Sequence, residues 1–351
     1  MEKNILFPTS VVGSLPRPKF VQDFIENNSD VFSSTVDNFV LFAIALQEQA
    51  GLDIISDGEW RRKSYIGPIS DVTDCFIEYP PQKDVWRYVV EKKIEHKYPG
   101  FFAREAEFLK KHTNKKTKVS IPSPYLIGQR CWDEVESKKV YSTRREFVEA
   151  ILPVLQKEIL LLANTGVDAI QIDDPHICLL ADENVRKTFK DPDEELRYAC
   201  DLVNQLVSVI KDRNVEISLH LCRRNKGRKG WVGEGDYAPI IRELSKINVD
   251  QFALEYTIPA AGDYKVLEQL PKKFKVGLGC VDCRFEHIDT VEEIVARVEK
   301  ALQYIEPSRL LLNPDCGFAP GSERLLSLDE PYLKLKNEVK AGKILRQKYT
   351  L

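Results

Sequence analysis

The feature that most restricts this chain is an alternation. Short apolar, β-branched runs are each followed by a longer segment with helical spacing, and the cycle occurs eight times. The runs are TSVVGSL (9–15), DIISDGE (53–59), KVSIPSP (118–124), DAIQIDD (168–174), EISLHLC (216–222), QFALEY (251–256), KVGLGCVD (275–282) and RLLLNPDC (309–316). Most are apolar on both parities, as parallel strands covered on both faces are. In 143–164 the residues Phe147, Ile151, Leu155, Ile159 and Leu162 form a helical stripe. Val291, Ile294, Val295, Val298, Leu302 and Ile305 form another in 289–305, where Thr290 and Glu293 offer a capping box. Segments 34–49, 192–212, 236–246 and 326–348 also read as helices. Eight cycles predict an α/β fold, a (β/α)8 TIM barrel rather than a doubly wound sheet. The long excursion 60–117 follows the second strand, and alternation from Trp86 to Ile94 suggests a hairpin inside it. We read 1–351 as a single barrel domain and 60–117 as an insertion near the barrel mouth.

Composition narrows the setting. A formal net charge of −3 gives no reason to expect a nucleic-acid or anionic-membrane partner. No run approaches the roughly 18–20 apolar residues of a membrane span, and the N-terminus has no signal-peptide pattern. The basic clusters at 110–116 and 223–229 read most simply as solvated loops, although the second directly follows the run 216–222. Eight cysteines without regular pairing point to a reducing, cytoplasmic setting. Cys75, Cys131, Cys178 and Cys200 read as small buried apolar side chains.

Barrel enzymes build their sites at the C-terminal ends of the strands. Ser14, Glu59, Asp173, His220, Cys222, Glu255, Asp282 and Cys316 fall at or just past such ends, from seven different runs. His220 and Cys222 are two apart, so a strand turns both side chains to one face. With Cys316 and Glu255 they would make an N/S/S/O set that favours zinc. The competing reading is a buried strand whose histidine has an ordinary partner. Thiolate-rich zinc suits holding a substrate thiol in its ionised form, and hence alkyl transfer to sulfur. Glu59 and Asp173 read as an acid/base pair, a cradle for an ammonium, or a structural pair with Arg61 and Arg62. GSLPRP (13–18) offers backbone N–H groups, Ser14 and Arg17 to a carboxylate, or is simply a proline-bounded turn.

With these residues assembled, the chain resembles the catalytic domain of the cobalamin-independent methionine synthases. The motifs are VVGSLPRP, GLDIISDGE (51–59), IQIDDP (170–175), HLC (220–222), LEY (254–256) and NPDCG (313–317), which occur in the family's order. The chain is too short for the extra barrel of the long enzymes and looks like their single-barrel branch. The resemblance implies Zn2+ on His220, Cys222, Glu255 and Cys316. It implies homocysteine as the thiol, its amine at Glu59 and Asp173, and its carboxylate at Val12, Gly13, Ser14 and Arg17. The methyl donor would be a methylated folate or a methyl-corrinoid protein. The family's catalytic histidine after the seventh strand has no counterpart in CVDCR (280–284), which leaves Asp282 and His287 as the acid candidates. The alternatives are alkyl transfer involving another thiol such as coenzyme M, a metal-free decarboxylase on a related barrel, and a non-catalytic barrel with a structural metal.

Overall fold

The computed structural model describes residues 5–28, 30–82, 85–319 and 327–350, without the side chains of 80–86. The expected start of the last helix at 326 and the side chain of Trp86 lie outside the described residues. The strands are β1 (Ile54–Ile55), β2 (Phe76–Gln82), β3 (Val85–Val90), β4 (Lys116–Pro122), β5 (Ala169–Asp173), β6 (Glu216–Leu221), β7 (Gln251–Glu255), β8 (Lys275–Val281) and β9 (Leu310–Pro314). Seven of them form one parallel sheet in the order β1-β4-β5-β6-β7-β8-β9.

The segment Pro8–Ser10 joins the two edges of this sheet. Leu312 N donates to Pro8 O at 2.9 Å and Ser10 N donates to Leu312 O at 2.9 Å, while Ile54 N donates to Thr9 O at 3.0 Å. Thr9 is therefore the eighth stave, bridged in parallel to Leu312, and the curled sheet is a TIM-type α/β barrel. The expected first strand over 9–15 shrinks to this bridge. Its later carbonyls go to interior side chains instead of a neighbouring strand. Val11 O accepts from Lys118, Val12 O from Gln171 Nε2 at 2.9 Å, and Gly13 O from Ser56 Oγ at 2.9 Å. The second expected strand is also cut short, because the chain turns at Gly58 (φ 72°) and Glu59 (φ 59°).

Alternation along the strands sets the two faces. Val119, Ile121, Ile170, Ile172, Leu219, Leu221, Phe252, Leu254, Val276 and Leu278 are all buried. Period 2 turns them together to the helix side. The other parity is more polar than the sequence reading expected, with Lys118, Ser120, Gln171, Ser218, Gln251 and Asn313 buried on it. Burial pushes the Lys118 ammonium down to about 8, and its Nζ donates to Gln171 Oε1 at 3.0 Å.

Helices Ser34–Ala50, Arg144–Asn164, Pro192–Val207, Val291–Ala301 and Asp329–Tyr349 match their expected segments. The capping box at Thr290 and Glu293 is formed. The helix expected at 236–246 is one turn, Ile241–Leu244. Tyr237 explains its late start, because its hydroxyl donates to Leu221 O at 3.1 Å and accepts from Glu255 N at 3.0 Å. Within 60–117, β2 and β3 pair antiparallel as the alternation suggested, and a helix at Phe101–Lys111 adds to them. Glu158 anchors this stretch to the barrel helix Arg144–Asn164. Its Oε1 accepts from Gly100 N at 2.7 Å and lies 2.9 Å from His96 Nε2. Among the described residues no helix is long and apolar enough to cross a membrane.

The closing seam is testable. Asp53 Oδ2 accepts from Thr9 N and Thr9 Oγ1, both at 2.9 Å, and also from Arg346. Asp53→Ala leaves three donors without their acceptor and is expected to lower stability by about 2–3 kcal/mol. Urea unfolding followed by circular dichroism reads this loss, and Asp53→Asn should recover part of it.

Candidate metal and substrate site

His220 lies on β6 and Cys222 just past it, while Cys316 follows β9. Because both strands run parallel, their C-terminal ends deliver the three side chains to one place. One ligand atom from each lies within 4.8 Å of the others. Cys316 donates toward Cys222 Sγ at 3.7 Å. That contact, and His220 beside it, hold the Cys222 thiol well below its usual range. His220 Nδ1 is 3.2 Å from Ala253 O, while Nε2 is buried without a hydrogen-bond partner. An imidazole oriented through Nδ1, with an orphaned Nε2 beside two sulfurs, is a donor set that fits zinc.

Glu255, the fourth expected ligand, stands outside this group. Arginines occupy both of its oxygens. Oε1 accepts from Arg223 N at 2.6 Å and lies 3.3 Å from Arg223 Nη1, while Oε2 accepts from Arg284. Arg284 also donates to Asp315 Oδ2 at 2.9 Å, and Arg284, Glu255 and Asp315 are all 0% exposed. Two buried guanidiniums thus hold this carboxylate, Arg223 at one oxygen and Arg284 at the other. Burial still pushes its carboxyl up to about 7, against the opposing charge of Arg284.

A cavity of about 330 Å3 opens onto His220, Cys222 and Cys316. Val12, Ser14, Arg17, Glu59 and Asp173 line it, as expected, and so do Arg62, Tyr65, Arg130 and Arg224. Glu59 sits in the left-handed backbone region and its Oε1 accepts from Ser120 Oγ at 2.9 Å. Arg62 Nη1 lies 3.8 Å from Glu59, but its closer partner is Glu105 at 2.6 Å. The structural pairing foreseen between Glu59 and the adjacent arginines is thus a secondary contact. Arg61 turns away to Asp37 at 2.5 Å. Asp173 Oδ1 accepts from Gln171 Nε2 at 2.8 Å. Burial, reinforced by the Glu59 charge, raises its carboxyl to about 6.

Two glycines make this packing possible. A Cβ on Gly13 would lie 2.5 Å from Glu59 Oε1, and one on Gly317 would lie 2.1 Å from Ser14 Oγ. Gly13 therefore admits the Glu59 carboxylate, and Gly317 seats Ser14 beside Cys316.

Asp282 and His287 do not line the cavity. Asp282 Oδ1 accepts from Arg284 N at 2.9 Å. His287 is on the surface, its side chain 59% exposed and 2.9 Å from Glu293 Oε2. The basic cluster at 223–229 is no solvated loop: Arg223 is buried, Arg224 and Lys226 line the cavity, and Arg228 pairs with Glu330 at 2.5 Å. Sequence reading missed Glu105, Tyr65, Arg130 and Arg284. Glu105 lies 43 residues from the arginine it neutralises, and nothing local to either residue signals the pairing.

Arg284→Met leaves Glu255 and Asp315 buried without their shared cation. The expected loss is about 3–5 kcal/mol of stability, read by guanidinium unfolding. Combining it with Glu255→Gln should recover part of that loss.

Comparisons with known proteins follow this geometry. Residues 129–343 match the family described as the catalytic domain of cobalamin-independent synthase. A protein named methionine synthase from Pyrococcus horikoshii is 30% identical over 360 residues, covering 99% of this chain and 95% of its own length. One of the same name from Sulfolobus acidocaldarius is 28% identical and covers 97% and 93%. The fold is shared with a B12-independent methionine synthase from a Shewanella species, solved in complex with selenomethionine. The TM-score is 0.81 at 22% identity, over 98% of each chain. Family match, relatives and fold agree: the chain belongs to the cobalamin-independent synthase catalytic-domain family.

Proposed function

We propose that this protein transfers a methyl group to the thiol of homocysteine, forming methionine, with zinc on His220, Cys222 and Cys316 and a methylated folate as donor. The observation that carries this reading is the meeting of one imidazole and two sulfurs within 4.8 Å at the floor of a cavity of about 330 Å3. The curated relatives named methionine synthase support the acceptor. The family's description as cobalamin-independent favours a folate over a methyl-corrinoid protein. The absence of regular disulfide pairing, with all eight cysteines free, supports a reducing cytoplasm as its setting. We keep 1–351 as one catalytic barrel with 60–117 as an insertion that supplies Arg62, Lys63, Ser64 and Tyr65 to the cavity.

When bound, zinc supplies a Lewis acid that favours the ionised form of a coordinated thiol. The chain's residues do the rest. Glu59 and Asp173 accept hydrogen bonds from the substrate ammonium, which fixes the sulfur relative to Cys222 and Cys316. Ser120 and Gln171 hold those two carboxylates in place. Val12, Ser14 and Arg17 line the adjoining wall. Arg223 and Arg284 hold the Glu255 carboxylate beside His220, Cys222 and Cys316, the three residues that would hold the zinc. In the reaction the donor's C–N bond breaks, a C–S bond forms, and the thiol proton leaves to solvent or to the donor nitrogen.

The test supplies zinc-loaded protein with homocysteine and methyltetrahydrofolate. We expect methionine by mass spectrometry and about one zinc per chain. Cys222→Ser is expected to lose most of its zinc and to lower turnover by roughly a hundredfold or more, with the fold retained by circular dichroism. Coenzyme M in parallel should give no methylated product. Methylated coenzyme M without methionine, or full turnover in a folded Cys222→Ser, would overturn the reading.

Separately, Glu59→Gln and Asp173→Asn are each expected to raise KM for homocysteine by about tenfold. A thiol without an amine should show little change in the same variants.

A further inference from the structure

The cavity carries a second polar feature that no catalytic role yet uses. Several arginines in or near the site are neutralised at close range. Arg62 meets Glu105, Arg223 meets Glu255, Arg228 meets Glu330, and Arg284 meets both Glu255 and Asp315. Arg130 and Arg224 differ. Both line the cavity. Among the described residues Arg130 Nη1 donates to the Tyr65 hydroxyl, at 3.4 Å, and has no carboxylate partner. The Arg224 guanidinium has no carboxylate partner among the described residues, and the groups acting on its charge include Arg130, Tyr65 and Cys222.

Two further observations point to the same place. Arg224 sits at φ 58°, one of three non-glycine residues with positive φ among those described. An L-residue is strained there, and the fold accepts that strain at Arg224. Nearby, His176 Nε2 is buried with no hydrogen-bond partner. Burial and the Arg224 and Arg130 charges hold that imidazole well below its usual pKa. Two like charges that line one cavity raise each other's energy, and a bound anion relieves it. The cavity is also polarised, with Glu59 and Asp173 supplying its negative groups.

We propose that Arg224 and Arg130 form an anion subsite that takes a carboxylate of a ligand bound beside His220, Cys222 and Cys316. This rests on the methyl-transfer reading. Two ligands of that reaction carry carboxylates, the amino-acid thiol and the glutamyl chain of the folate. For the thiol, ammonium at Glu59 and Asp173 with carboxylate at the arginines would hold both ends of the zwitterion. It would move the carboxylate from the segment 12–17, where the sequence resemblance put it.

Arg224→Gly removes the guanidinium and relieves the backbone strain, so its melting temperature should not fall. Arg130→Gln is the second variant and carries the test should the first fail to fold. Calorimetry on zinc-loaded protein measures binding of homocysteine, of 3-aminopropanethiol (the same thiol without its carboxylate), and of methyltetrahydrofolate with one or three glutamates. If the subsite holds the acceptor, each variant weakens homocysteine by about tenfold or more and leaves 3-aminopropanethiol within about twofold. If it holds the donor, the triglutamate folate weakens and both thiols are unchanged. Less than a twofold change for homocysteine and for both folates overturns the proposal. Failure of wild-type protein to bind homocysteine would instead end the methyl-transfer reading. The folate arm alone then decides the subsite.

Discussion

The constraint on which the rest depends is closure of the sheet through Pro8–Ser10. Two edges of a parallel sheet each present unpaired N–H and C=O groups. One short segment satisfies both, accepting from Ile54 and exchanging bonds with Leu312. Closure also orders the chemistry. It sets Val12 and Ser14 between the ends of β9 and β1, beside Cys316 on one side and Glu59 on the other. An open sheet of the same strands would leave these groups at opposite edges. Asp53 and Arg346 reinforce the seam from the outer layer.

A second layer of control lies in how charge is distributed around the cluster. The buried guanidiniums Arg62, Arg223 and Arg284 are spent on Glu105, Glu255 and Asp315. Those pairs fix the loops after β1, β6 and β8 but put little net charge into the cavity. Among the residues that line it, Glu59 and Asp173 supply carboxyl groups, and Arg130 and Arg224 supply guanidiniums with no carboxylate partner among the described residues. An ion in a low-dielectric pocket is costly without a partner. A cavity lined by groups of both signs suits a ligand that carries both.

Much of this was readable in the residues themselves. Eight apolar runs with polar C-terminal ends announced a barrel and its active end, because strand period and parallel burial leave a local signature. His220 and Cys222 sit two apart and so face the same way wherever β6 lies, and Cys316 ends a run of its own. The expected strand 9–15 failed because its carbonyls are claimed by Lys118, Gln171 and Ser56, partners 107, 159 and 43 residues away. Likewise, polarity within the barrel is satisfied by side chains on neighbouring strands, so no single strand displays it.

By itself, the sequence determined which residue types stand at which strand ends, and hence that an imidazole and two thiols would share one rim. Only the tertiary structure placed the Glu255 carboxylate against the guanidiniums of Arg223 and Arg284. Its carboxylate had two possible destinations, the sulfurs or the guanidiniums of Arg223 and Arg284. The choice turns on distances of a few ångströms between loops from different strands. Coulomb energies inside a protein change steeply over such distances, and spacing along the chain carries no record of them.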